Sequence, residues 1–112
     1  MSRTSRHPLS RYSLEAALLL GRLIRRARIE RKLTTADLAN RLGASRGLVQ
    51  RIEKGDPGCA VGIVFEAAAI VGVRLFDADQ AAISTAINAN TATLALLPKA
   101  VRTPKVEAND DF

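Results

Sequence analysis

The chain has 112 residues and a net charge of +6; hydrophobic residues make up 47% of it but aromatics only 4%. That length suits one small core with tails and excludes two independent cores, and the shortage of aromatics implies Ala, Leu, Ile and Val in close helix-on-helix contact, an all-α domain. The single cysteine, Cys59, excludes a disulfide framework and a Cys-based metal site, so no metal or cofactor is implied.

Residues 1–13 carry Arg3, Arg6 and Arg11 among Ser, Thr and Pro8 with no hydrophobic periodicity, and are expected to form a disordered basic arm with His7 solvated. Arginine-bearing arms of this kind either idle in solvent or enter a minor groove. The apolar run that follows is not expected to act as a signal peptide, because Glu15 interrupts it and Arg22 comes too soon. Leu20, Ile24 and Ala27 recur at helical spacing, so a long first helix is expected over residues 14–32, with Arg22, Arg25, Arg26 and Arg31 on its other faces.

Thr34 is a good N-cap with Asp37 three residues on, which starts a second helix over residues 35–42. Gly43 ends it, since glycine accepts the left-handed conformation a sharp helix-to-helix turn requires. Ser45 caps a third helix that runs to about Lys54 and is stopped by Gly55 and Pro57. Residues 61–71 are almost wholly apolar apart from Glu66 and predict a buried fourth helix.

Beyond Gly72, the alternation Val73-Arg74-Leu75-Phe76-Asp77 predicts a short strand. So short a strand needs a partner, which a second copy would supply through Val73, Leu75 and Phe76. The helix-turn-helix unit thus spans residues 14–77. Asp77 or Asp79 caps a C-terminal helix within residues 78–98, with Ile83, Ala86, Ile87, Leu94 and Leu97 as an apolar stripe that offers a second dimerising surface. Ser84, Thr85, Asn88, Asn90, Thr91 and Thr93 exclude it as a membrane span, so a soluble cytoplasmic protein is expected. Residues 99–112 are expected to be a disordered tail with an acidic end.

Charge separates along the chain. Residues 1–56 hold 13 Lys/Arg against 5 Asp/Glu, whereas residues 57–112 hold 4 against 6. The basic half faces either a polyanion or only solvent. Within it, Ala39 allows close helix approach, Gly43 makes the turn, and Leu38, Leu42, Val49 and Ile52 seal the helix pair against the first helix, the spacing of a helix-turn-helix. A helical hairpin in a non-binding bundle shares that spacing. The exposed donors of the third helix favour DNA: Arg46, Gln50 and Arg51 suit base edges, arginine pairing with guanine and glutamine with adenine. Thr34 and Thr35 at the start of the second helix, with Arg41, Ser45 and Lys54, suit phosphates.

The stretch from Leu20-Gly21-Arg22 through Leu33-Thr34-Thr35-Ala36-Asp37-Leu38-Ala39 to Val49-Gln50-Arg51-Ile52-Glu53-Lys54-Gly55 resembles the XRE family, the phage Cro and repressor type of helix-turn-helix. The resemblance covers roughly residues 20–77 and implies a lambda-repressor-like domain of four to five helices. It further implies that Arg28 and Glu53 form an ion pair tying the first helix to the end of the recognition helix, which makes both scaffold, with Ala39, Gly43, Val49 and Ile52. Two positions depart from the pattern: Thr35 stands where relatives often have Gln, and Gly47 where they often place a base-reading side chain.

The layout of residues 65–79 and the extension beyond them also looks like the small HipB-type antitoxins. That similarity implies a homodimer on a palindromic operator that also holds a HipA-like kinase toxin. Three readings follow: a transcriptional regulator, in most such proteins a repressor, acting on double-stranded DNA as a homodimer and with or without a toxin-antitoxin role; an interaction module that mainly neutralises a partner protein; and a phage-type repressor with no toxin partner. An enzyme is not expected, since there is no Gly-rich phosphate loop, no metal-ligand cluster and no His or Cys beside a plausible base.

Overall fold

A computed structural model describes residues 8–101 of the chain, and all the regular structure among them is helical. Five helices follow in order: α1 (Arg11–Glu30), α2 (Thr35–Leu42), α3 (Arg46–Glu53), α4 (Val61–Val71) and α5 (Gln80–Ala95). The chain divides into two units at the Asp77–Ala78 boundary. The first holds α1 to α4 and the core; the second holds α5.

Helix α1 begins earlier than the periodicity predicts. Ser10 caps it by accepting a hydrogen bond from the Ser13 amide at 3.1 Å, and Arg11 pairs with Glu15 one turn on, also at 3.1 Å. Residues 11–13 are therefore helix, not arm; residues 1–7 of the expected arm and 102–112 of the expected tail lie outside the described residues. At the other end Arg31 is the C-cap and Lys32 adopts a left-handed φ of 59°, so the helix stops short of Lys32.

The starts and stops of α2 and α3 follow from their caps. Thr34 and Asp37 form a complete capping box, and Gly43 ends α2 at φ 70°. Ser45 accepts from the Leu48 amide at 3.0 Å to open α3. Ile24 from α1, Leu38 and Ala39 from α2, Val49 and Ile52 from α3, and Ala67, Ala68 and Val71 from α4 make one continuous core. The alanines let helix backbones approach, which is how a core without aromatics fills its volume. Helix α4 is buried on that one face only, since Val61 remains 65% exposed.

Two glycines set the distance between α1 and α3. A Cβ on Gly21 would lie 2.5 Å from the Ile52 carbonyl oxygen, and one on Gly55 2.5 Å from the Leu18 Cα. Backbone meets backbone at both points.

The expected strand does not form. Leu75–Asp77 is a 3-10 turn in which Phe76 and Asp77 have φ values of 56° and 51°, left-handed values that break an extended run. The alternation is real but serves the chain's own core, against which Val73 and Leu75 pack. Phe76 stays 83% exposed, with its ring edge-on to Phe65 at 6.5 Å. No dimerising strand is therefore presented by Val73, Leu75 and Phe76.

Helix α5 is capped by Asp79, whose carboxylate accepts from the Ala82 amide at 2.9 Å, and none of its residues is buried. No helix among the described residues is long and apolar enough to cross a membrane.

Candidate nucleic-acid interface

The surface of α3 is set by the 3.6-residue repeat. Val49, Ile52 and Glu53 turn inward, which leaves Arg46, Gly47, Gln50, Arg51 and Lys54 exposed along the opposite arc. A side chain on Gly47 would meet only the Ser45 hydroxyl, at 3.7 Å, so nothing in the packing demands glycine there. Its effect is to leave bare backbone in the middle of a row of long donors.

What holds this row in place is buried. Arg28 and Glu53 form a two-point ion pair, Nε to Oε2 at 2.7 Å and Nη2 to Oε1 at 3.0 Å, with 7% and 3% of each residue exposed. The hydrogen bonding it donates to Glu53 is the main reason the guanidinium of Arg28 is held charged even more firmly than usual. Arg28 also donates through Nη1 to the Leu33 carbonyl at 2.8 Å, so it ties the end of α1, the entry to α2 and the end of α3 together. Arg25 approaches the same carboxylate at 3.6 Å, and Arg22 donates to the Glu53 carbonyl at 3.0 Å.

These contacts line an open groove of about 360 Å³, walled by Arg22 and Arg25 of α1, Thr35 of α2, and Gln50, Glu53 and Lys54 at the end of α3. Three cations, Arg22, Arg25 and Lys54, line it with one carboxylate, Glu53, which is already paired with the buried Arg28. The groove is therefore cationic and suited to a phosphate. Arg22 and Arg25 were not legible as part of the site because one-dimensional periodicity puts them merely off the core stripe. The signal available was their three-residue step toward Arg28: a side chain one turn before the partner of Glu53 reaches the same place.

Of the residues expected to grip phosphates, Thr35 and Lys54 share this groove. Thr34 uses its hydroxyl oxygen to cap Asp37, while the Asp37 carboxylate accepts from the Thr34 amide at 2.8 Å. That backbone hydrogen bond is the first reason the Asp37 carboxyl is held below the ordinary carboxylate range. Ser45 is likewise engaged as a cap, and Arg41 is exposed in the last turn of α2.

Among the residues expected to read bases, Arg46 and Gln50 are exposed on successive turns. Arg51 is held differently, its Nε donating to Asp56 Oδ2 at 2.9 Å across the turn that ends α3. Asp56 also accepts from the Gly58 amide at 2.7 Å, the leading reason its carboxyl is held low. Arg51 is thus aimed by a carboxylate that is itself fixed by the loop. Cys59 lies half-buried nearby, its thiol pushed up by burial. No cluster of metal-ligating side chains occurs among the described residues.

Searches of curated proteins and of solved structures found no significant match. A family model described as a helix-turn-helix domain matches residues 19–83, more than half of the chain, and takes in α2, the Gly43 turn and α3. With a capped helix pair joined at a left-handed glycine, a buried arginine–glutamate tie behind it and a row of exposed donors in front, the chain belongs to the helix-turn-helix domain family of DNA-binding proteins, in its XRE-like group.

Proposed function

We propose that this chain is a sequence-specific transcription regulator that represses by occupying a palindromic operator as a homodimer. The observation that carries the reading is the exposed arc of α3 lying beside a cationic groove, with the buried Arg28–Glu53 pair fixing one against the other. Arg46, Gln50 and Arg51 read base edges from the major groove. Thr34, Thr35, Arg41, Ser45 and Lys54 hold the flanking backbone, joined by Arg22 and Arg25, and a phosphate seats in the groove these two arginines share with Thr35 and Lys54. Two recognition helices then meet half-sites about one helical turn, ~34 Å, apart.

The test is a mobility-shift series at moderate salt with the chain's own promoter against random DNA. A preference for the promoter that Arg46→Ala reduces by roughly 5- to 150-fold, the equivalent of about 1–3 kcal/mol, supports the reading. Equal binding to both DNAs removes specificity from the proposal. A HipB-like antitoxin role is not favoured by any observation, because the short strand that suggested it is a turn; a kinase-like toxin gene beside this one would reopen it.

A further inference from the structure

Arg51 and Asp56 are joined twice. The Asp56 amide donates to the Arg51 carbonyl at 3.0 Å, and the Arg51 Nε donates to Asp56 Oδ2 at 2.9 Å, so backbone and side chains close one ring. The other carboxylate oxygen, Oδ1, accepts from the Gly58 amide at 2.7 Å, and the Asp56 carbonyl accepts from the Cys59 amide at 3.3 Å. Every polar group of Asp56 is thus engaged, and Pro57 restricts the backbone between Asp56 and Gly58. An exposed ion pair usually holds little in place, because two mobile side chains must be ordered at once. Here one partner is short and already fixed by the loop, so only the arginine has to be ordered.

A guanidinium carries its N–H donors in one fixed plane. Nε spends its hydrogen on Asp56, whereas among the described residues neither Nη nitrogen has a partner, and the side chain is 55% exposed. Those two nitrogens form the outer fork of the group, whose spacing meets the O6 and N7 acceptors of one guanine. The carboxylate beside them repels a phosphate, so the same pairing that aims the fork also disfavours capture of Arg51 by the DNA backbone.

We propose that Asp56 is a positioning residue for base recognition, which holds Arg51 so that its free Nη pair reads a single guanine and stays off the phosphates. This rests on the regulator reading above and names the base read at one point of that site. Holding the arginine before DNA arrives removes the cost of immobilising a long side chain on binding, which corresponds to roughly 2- to 12-fold in affinity. That gain is realised only where a guanine stands opposite the fork, so it appears as discrimination between bases.

Selection of the full chain on a randomised duplex DNA library, with the bound fraction sequenced, tests the assignment. The parent is expected to enrich a sequence with guanine at one position whose preference Arg51→Ala lowers by roughly 5- to 150-fold. Asp56→Asn is expected to lower the preference at that same position by roughly 2- to 12-fold, with the positions read by Arg46 and Gln50 and the thermal midpoint unchanged. Added to Arg51→Ala, Asp56→Asn is expected to change that preference no further. Asp56→Glu keeps the charge but moves the carboxylate out by one methylene, and is expected to lose the preference as Asp56→Asn does. An enriched sequence in which Arg51→Ala alters no guanine, a guanine preference that Asp56→Asn leaves intact, or full retention by Asp56→Glu overturns the proposal alone. A parent that enriches no sequence overturns the regulator reading and the proposal with it.

Discussion

Glu53→Gln removes one charge and almost no volume, so its effect isolates the buried ion pair. In the parent, Glu53 accepts two hydrogen bonds from Arg28, at 2.7 and 3.0 Å, with Arg25 at 3.6 Å. Glutamine keeps one acceptor oxygen but turns an amide N–H₂ toward a guanidinium donor, which costs one charge-assisted hydrogen bond of about 1.5–3 kcal/mol. It also leaves the buried Arg28 charge without its counter-ion, and breaking a buried pair from one side costs about 3–5 kcal/mol in total. In a domain of this size each kcal/mol moves the thermal midpoint by about 4–8 °C. Helical circular dichroism followed against temperature is therefore expected to show a fall of at least about 12 °C. Replacing both partners, Arg28→Met with Glu53→Leu, is expected to recover much of the loss, because the desolvation cost of both charges disappears with them. A fall of less than about 3 °C for the single variant, or a double variant worse than either single one, refutes the role given to this pair.

Gly21→Ala is expected to destabilise the same unit by about 1–3 kcal/mol, since its Cβ would stand 2.5 Å from a backbone oxygen that no rotamer change can move; chemical denaturation measures it. Asp37, whose folded-state pKa is depressed, contributes stability that is present above its unfolded value near 4 and lost as pH falls through the lower folded value. Asp37→Asn is accordingly expected to flatten the acid-side loss of stability below about pH 4, though not to abolish it, because Asp56 acts in the same direction. Lys54→Ala is expected to weaken binding to promoter and random DNA alike and to reduce the slope of log affinity against log salt by about 1. Asp56→Ala, which frees Arg51, is expected to raise random-DNA affinity and lower the specificity ratio in a competition assay.

How far the sequence could be read depended on the range of the interactions that decide each element. Thr34, Gly43, Ser45 and Gly72 act within a turn of their own position, and the helices they bound are where their spacing predicts. Ser10 acts at the same range, but it lies in an arginine-rich stretch whose polarity hides the cap and the Arg11–Glu15 pair behind it. The misread strand has another origin. An alternation of apolar and polar residues records only which side chains turn inward, and a left-handed turn at Phe76 and Asp77 can do that over so short a run as well as a strand can. The site divides along the same line. Exposed residues of α3 follow from helical period, whereas the placement of Arg22 and Arg25 in the groove and the capture of Arg51 by Asp56 depend on tertiary approach across α1, α3 and the loop after it.

The backbone contacts at Gly21 and Gly55 limit how such a protein can acquire a new target. With a carbonyl of α3 against α1 at one point and a glycine amide against it at the other, α3 cannot tilt or roll to suit a different groove without unseating the core. Retargeting must come from exchanging side chains on a fixed rail. Five consecutive-turn positions, Arg46, Gly47, Gln50, Arg51 and Lys54, can be varied combinatorially at little risk to folding, and Gly47, with open space around its Cα, is the natural first site to diversify.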